Sequence, residues 1–443
     1  MKKYQQISEE IQYKIMIGTY RSGDKLPSIN EISELYKCSR GTVIKAFEVL
    51  ISRHVVYSKP QSGYYVANDF YKHELEQDHY DLSTGNPRVD SIPIVNVKHS
   101  LNVAVERYSE YSLQMQLRGT PSLLEELQKY LDTNGFYCKI SDLFFSQGVT
   151  QAMSVLCRIP FPNGKNIILI EEPSFSFTIE QLKHYGNEVL TIQRDKDGID
   201  MAELEHIFKT QAIKFFYTIP RNHNPLGTYL PLNQRKKIIE LAHKYDVYIV
   251  ENDYFSESFS IPRYEPIYYY SDFRNCIYLK SYSKIVPYIR IGFAIIPPEI
   301  QEAYSDGMNK AYFESYYMPD LVSQATLETM IKNDIISGIA LHLSETLKQK
   351  ISTYNRIIAK WSNSLIMPQK IQCGNYGIIK LSDDININSF INKLKLNGVE
   401  VKSNEPAYYN KDNFDNSFRV CLARVSQQQL KKALQIIYSS VND

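Results

Sequence analysis

Long apolar runs are missing from these 443 residues: none approaches the ~18–20 that a membrane-spanning helix needs. The start, Met1-Lys2-Lys3-Tyr4, carries two lysines but no apolar stretch behind them, so no signal peptide is expected. Cysteine is sparse and unpatterned. Cys38, Cys138, Cys157, Cys276, Cys373 and Cys421 never reach C-x-x-C spacing, which argues against a zinc site and a disulfide framework and favours a reducing cytoplasm. An excess of charge of one sign is lacking too, with 50 Lys+Arg against 49 Asp+Glu. Hydrophobic residues at 43% and charged residues at 22% exclude a disordered chain. The length exceeds one core of ~100–200 residues, so two or three compact units are expected.

The charge is unevenly spread. Residues 1–67 carry a balance of +4 and the rest −3, a small basic head on a slightly acidic body, which suits a polyanion-binding module. Ile7, Ile11 and Ile15 recur every four residues and predict a first helix, closed by Gly18 and the turn-rich Arg21-Ser22-Gly23-Asp24. Ser28 and Glu31 have the spacing of a capping box and start a second. Ser39 caps a third, with Val43, Phe47 and Leu50 facing inward. Val55-Val56-Tyr57 and Tyr64-Tyr65-Val66, joined by Pro60-Gln61-Ser62-Gly63, read as a hairpin. Helix, helix, turn, helix, hairpin is the layout of a winged helix-turn-helix. In that layout Ser39, Arg40, Thr42 and Lys45 meet bases or phosphates in the major groove, while Ser62 and Gly63 at the hairpin tip lie against the backbone or minor groove. The plainer alternative is a three-helix protein-binding or dimerisation module with solvated charges.

The run Gly18-x-Tyr20-x-x-Gly23-Asp24-Lys25-Leu26-Pro27-Ser28, continued by Ser39-Arg40-x-Thr42-Val43, closely resembles the GntR family of bacterial repressors. The resemblance implies that Arg40 and Thr42 contact DNA. It also exposes a departure: Ile44 stands where that family commonly has a second arginine.

Residues 68–79 are polar and without pattern, a linker. From 80 to 443, β-rich runs alternate with helical stretches: 166–170, 215–218, 247–250 and 276–279 read as buried strands, and 232–244 as a helix. That alternation predicts an α/β body on a mainly parallel sheet, with its ligand beyond the carboxyl ends of the strands. Four places there stand out: Ser146-Gln147-Gly148-Val149-Thr150, a glycine turn opening a helix and able to cradle phosphate; Asn222-His223-Asn224-Pro225-Leu226-Gly227; Glu251-Asn252-Asp253-Tyr254; and Ser281-Tyr282-Ser283-Lys284 followed by Arg290. Each alone also reads as a cap, a turn, a solvated strand end or a surface lysine.

In this order they resemble the fold-type I, class I aminotransferases, whose cofactor is pyridoxal 5'-phosphate. The resemblance implies that Lys284 forms the Schiff base. Val149 and Thr150 would hold the phosphate, helped by Ser281 and Arg290. Phe175 would stack on the pyridine ring, and Asn224 and Tyr254 would bond its hydroxyl oxygen. Arg419 would grip a substrate carboxylate. The carboxylate that usually faces the pyridine nitrogen falls on Asn252, unless a one-residue shift lets Asp253 take the place. A neutral amide cannot hold that nitrogen protonated by charge, so Schiff-base exchange with little or no turnover is expected. Gln114 replaces a tyrosine that usually reaches the phosphate from a neighbouring subunit, and the Lys284–Arg290 segment is one residue short.

The GntR-like head and aminotransferase-like body together resemble the MocR/GabR subfamily of bacterial transcription regulators. That implies a homodimer on a double-stranded DNA operator, sensing an amine, an amino acid or a B6 vitamer. The second reading is an active aminotransferase, of the 2-aminoadipate or aromatic amino acid type, with a regulatory head.

Overall fold

The computed structural model describes residues 3–16, 19–21, 23–52, 55–59, 62–67, 79–87, 94–107, 118–258, 264–315 and 319–441. The chain divides into two compact units, residues 1–78 and 79–443. Gly18, Ser22, Pro60, Gln61, Gln114 and the stretch 68–78, all named above, lie outside the described residues.

In the first unit α1 (Lys3–Met16), α2 (Ile29–Leu35) and α3 (Arg40–Ser52) precede a hairpin of β1 (Val56–Lys59) and β2 (Gly63–Val66). Ile7 and Ile11 enter one core with Ile32, Val43, Phe47 and Leu50, while Ile15 packs at its margin. The α2 capping box is present: the Ser28 N–H donates to Glu31 Oε2 at 2.7 Å. Phe47 stacks on Tyr64 with ring centroids 3.8 Å apart, which fastens α3 to the hairpin. The unit is a winged helix-turn-helix.

The second unit opens with β3 (Tyr80–Asp81), α4 (Ile94–Arg107) and α5 (Pro121–Thr133). Next come β4 (Leu143–Ser146), α6 (Val149–Arg158), β5 (Ile167–Glu172), α7 (Ser176–His184), β6 (Val189–Asp195) and β7 (Gly198–Ile199). Then follow α8 (Met201–Thr210), β8 (Ile213–Thr218), α9 (Leu232–Tyr245), β9 (Tyr248–Asn252), β10 (Cys276–Ser281) and β11 (Gly292–Ile295). Strands β4 to β11 form an eight-stranded sheet in the order β4-β11-β10-β9-β8-β5-β6-β7. Only β11 and β7 run against the others, so the sheet is mainly parallel. Alternate residues feed different cores: Ile168, Ile170, Phe215 and Tyr217 enter one, Leu169 and Phe216 the other.

Beyond β11, α10 (Gln301–Ser315), α11 (Leu321–Lys332) and α12 (Ile335–Ile358) lead to a smaller layer. It comprises β12 (Ile366–Pro368), β13 (Tyr376–Leu381), α13 (Ile387–Leu396), β14 (Val399–Glu400), β15 (Lys402–Ser403), β16 (Ser417–Cys421) and α14 (Gln427–Ser439). An antiparallel sheet runs β12-β13-β16-β15, and β3, at the start of the unit, pairs with β14.

Two strands run past their expected ends onto carboxyl groups that are buried but bonded. β5 continues through Glu171 and Glu172; Glu172 Oε1 accepts from the Tyr409 and Asn410 N–H groups at 2.7 and 2.9 Å. β9 continues through Glu251, which accepts from the Ile267 and Tyr268 N–H groups and is pushed up to about 8 by burial and by Asp253.

Candidate functional site

In the first unit α3 presents its amino end. Ser39 Oγ accepts from the Thr42 N–H at 3.3 Å and shares a hydrogen bond with Thr42 Oγ1 at 2.9 Å, so the Ser39 hydroxyl caps the helix and ties down that of Thr42. Arg40, its first residue, is exposed. Lys45 is also exposed, with its ammonium 5.1 Å from the centre of the Tyr4 ring on α1. At the hairpin, Ser62 Oγ bonds Tyr65 Oη at 2.7 Å, and the Lys59 ammonium lies 4.5 Å from the Tyr65 ring centre. Gly63, at the start of β2, has φ +115°.

In the second unit the carboxyl ends of β4, β8, β9 and β10 surround a cavity of ≈ 260 Å³. It brings together Val149, Thr150, Phe175, Asn224, Asn252, Tyr254, Ser281, Lys284 and Arg290. One wall is the amino end of α6. Gly148 precedes it at φ +83°, a conformation suited to glycine, and has no side chain to cap the first N–H groups. Thr150, Ser281 and Arg290 line the cavity at this end, so with those N–H groups they could hold an anion.

Lys284 Nζ donates to Asn86 Oδ1 at 2.6 Å and to the Gly85 carbonyl at 3.2 Å. Burial, reinforced by Arg419, Arg290 and Arg424, brings its ammonium down to about 8. At pH 7 about a tenth of the amine is then neutral and nucleophilic.

Asn252 and Asp253 part company. Asn252 lines the cavity, its Nδ2 donating to Tyr217 Oη at 2.7 Å. Its Oδ1 is buried and has no partner among the described residues. Burial pushes Tyr217 up to about 12, so it stays a phenol, also accepting from Thr178 Oγ1 at 3.2 Å. Asp253, the other candidate for the ring-nitrogen place, is not in the cavity lining. Asp253 follows β9 on the other side of the sheet, where it pairs with Arg221 (Nε–Oδ1 2.6 Å) and accepts from Tyr278 Oη at 2.6 Å. Its oxygens are already engaged there, away from the cavity lining.

The 222–228 turn is braced from below. Glu171 accepts from Arg194, from Thr218 Oγ1 at 2.7 Å and from the Ile219 N–H at 2.9 Å, with His223 Nε2 3.2 Å away. Against the opposing effect of burial, Arg194 and His223 hold its carboxyl down at about 2. Gly227, at φ +66°, sits so close to the Tyr376 carbonyl that a Cβ would collide with it. Tyr254 Oη donates to the Asn222 carbonyl at 2.8 Å, leaving its lone pairs to accept. Asn224 Oδ1 accepts from Arg419 Nη1 at 2.9 Å, so its Nδ2 remains the donor. Arg419 also donates through Nη2 to the Ser83 carbonyl at 2.9 Å, and its buried Nε has no partner among the described residues. It stands behind Asn224 and Tyr376 rather than in the lining itself.

Sequence reasoning missed Asn86, Tyr376, Phe177 and Ile219 in the lining, and Tyr217 beneath it. The turn-forming Thr84-Gly85-Asn86-Pro87 was the one local signal available, but nothing in it points to a lysine some 200 residues away.

Known proteins agree with this division. Residues 77–437 match the family "Aminotransferase class I and II" and residues 3–66 the "Bacterial regulatory proteins, gntR family". The uncharacterized HTH-type transcriptional regulator YcxD of Bacillus subtilis is 30% identical over 99% of this chain and all of its own length. MocR of Rhizobium meliloti, named a probable rhizopine catabolism regulatory protein, is 22% identical over 81% of this chain and 78% of its own. The kynurenine aminotransferase of Pyrococcus horikoshii shares the fold, with TM-score 0.75 and 21% identity over 83% of this chain and 91% of that one. The chain therefore belongs to the class I and II aminotransferase family through its body and, with its gntR-family head, to the MocR-like HTH-type transcription regulators.

Proposed function

We propose that this DNA-binding regulator holds pyridoxal 5'-phosphate in the cavity of its body and senses an amine, an amino acid or a B6 vitamer there, acting as a homodimer. The observation that carries the reading is Lys284, an amine brought down to about 8, facing the same cavity as the uncapped amino end of α6. The donor set fits the group. Val149, Thr150, Ser281 and Arg290 suit its phosphate, Phe175 its ring, Asn224 Nδ2 its hydroxyl oxygen, and the orphaned Asn252 Oδ1 a ring N–H. When bound, pyridoxal phosphate supplies an aldehyde that a lysine and a free amine can exchange between them.

Lys284 would be the amine displaced, and Arg419, through its unpartnered Nε, the grip on an effector carboxylate. Both now hold the segment just after the linker: Lys284 the Gly85 carbonyl and Asn86, Arg419 the Ser83 carbonyl. Arg424 also donates to the Asn86 carbonyl and pairs with Asp81. An effector that takes over Lys284 and Arg419 must alter these bonds, and the altered segment leads along the chain to the head. Two-fold symmetry suits paired DNA half-sites.

The test is a visible spectrum of the purified protein, titrated with amines and amino acids while operator binding is followed. A cofactor band that one compound shifts, together with DNA affinity, supports the reading; a protein that takes up no cofactor sinks it. A monomer in sedimentation would remove the homodimer. The second reading, a working aminotransferase, draws on Arg419 beside Asn224. Rapid turnover with a keto acid would establish it.

A further inference from the structure

The DNA-facing helix carries an apolar side chain where polar ones are the rule. Val43, Ala46, Phe47 and Leu50 are buried, so α3 shows solvent a stripe of Arg40, Gly41, Ile44, Lys45 and Glu48. Arg40 and Ile44 stand four residues apart and so lie one above the other on a single face. Ile44 is 38% exposed. A lone exposed apolar side chain on a surface calls for no explanation. This one lies one turn beyond Arg40, in the half of the helix that enters the major groove.

In that groove a base pair offers one apolar feature, the C5-methyl of thymine. Isoleucine has no donor or acceptor. Against a G·C pair it would strip water from the guanine N7 and O6 and the cytosine amino group and return nothing, which costs binding free energy. Against thymine it buries a methyl. Its β-branch also restricts χ1, so little rotamer freedom is lost in making the contact.

We propose that Ile44 is a specificity-determining residue that reads a thymine by its methyl group. Four residues span about 6 Å along α3, against about 3.4 Å per base step. The thymine therefore lies about one or two base pairs from the base that Arg40 contacts, which for a bidentate arginine is guanine. Glu48, the next position on the stripe, is anionic and repelled by phosphate, which confines the apolar reading position to one turn.

The test uses the full chain. Selection from randomised duplexes gives the preferred site, and anisotropy titrations at one fixed salt concentration give affinities. A thymine is expected close to an Arg40-dependent guanine. Exchanging that thymine for deoxyuridine, which removes only the methyl, should weaken the wild type about fourfold, the worth of one buried methyl. This contrast needs no variant, so it stands whatever a substitution does to folding. Ile44→Ala should bind both duplexes equally, and Ile44→Arg should shift the selected base to guanine. The proposal is overturned if no thymine in the selected site responds to loss of its methyl. It is equally overturned if Ile44→Ala keeps the fourfold discrimination, or weakens all duplexes alike while keeping the wild-type base preference.

Discussion

Replacing Asn252 by aspartate would put a charge where the cavity now has a neutral amide. One carboxylate oxygen would accept from Tyr217 Oη, which burial keeps protonated. The other would occupy the place of Oδ1, which is buried and unpartnered among the described residues. An opposite charge at such a site shifts a pKa by ~1–3 units, so the protonated ring of a bound pyridine cofactor would gain roughly 1.4–4 kcal/mol. If about half of that reaches the transition state for removing the effector's α-proton, the step accelerates about 3–30-fold. Lys284, once displaced, would be the base to take that proton. The assay is a single turnover without keto acid, following conversion of the bound cofactor to pyridoxamine phosphate. Equal rates for wild type and Asn252→Asp would refute the reasoning, because the amide would then not be what limits proton removal.

The buried chain neighbour of Asn252 should behave differently. Asp253→Asn removes the buried carboxylate that pairs with the Arg221 guanidinium, and breaking such a pair from one side costs ~3–5 kcal/mol; the melting temperature should fall markedly while the cofactor spectrum of the folded protein is unchanged. Arg40→Ala should weaken operator binding by ~1–3 kcal/mol at constant salt without altering cofactor absorbance, and unchanged binding would mean the recognition helix is misplaced. Lys284 titrates near 8 in the folded protein and at its ordinary, higher value when unfolded. Between the two the unfolded state binds more protons, so this group makes stability rise with pH across that window. Cofactor capture by the cofactor-free protein should likewise rise through about pH 8 and then level off; a midpoint above 10 would contradict the lowered value.

The sheet and the head were legible because their signals are local. Ser28 and Glu31 form their capping box at three-residue spacing, and the apolar runs at 167–170 and 215–218 are buried strands. The choice between Asn252 and Asp253 was not local. Strand alternation puts consecutive residues on opposite faces, but which face holds the cavity depends on where α6, the 222–228 turn and Lys284 converge. The ends of β5 and β9 were set too short for a related reason. What places Glu171, Glu172 and Glu251 inside strands is distant in sequence: Arg194, His223 and the N–H groups of Ile267, Tyr268, Tyr409 and Asn410. Asn86 and Tyr376 join the site only through tertiary structure, from opposite ends of the body.

The same remote segment sets a limit on how strongly an effector can act. A ligand moves an equilibrium only by as much as it favours one state over the other. One part of the difference available here is the bond from Lys284 to Asn86, a hydrogen bond from a charged donor of ~1.5–3 kcal/mol when buried. Asn86 is exposed, so solvent reduces this to about 1 kcal/mol, or roughly fivefold. Asn86→Ala removes the Oδ1 contact but leaves Lys284, Arg419 and the Gly85 carbonyl in place. Without effector, the variant should move DNA affinity up to about fivefold toward the value of the effector-bound wild type, and added effector should then change it correspondingly less. Cofactor absorbance, measured on the same samples, checks that occupancy is equal. If Asn86→Ala binds operator as the wild type does, both with and without effector, the bond between Lys284 and Asn86 does not carry the signal.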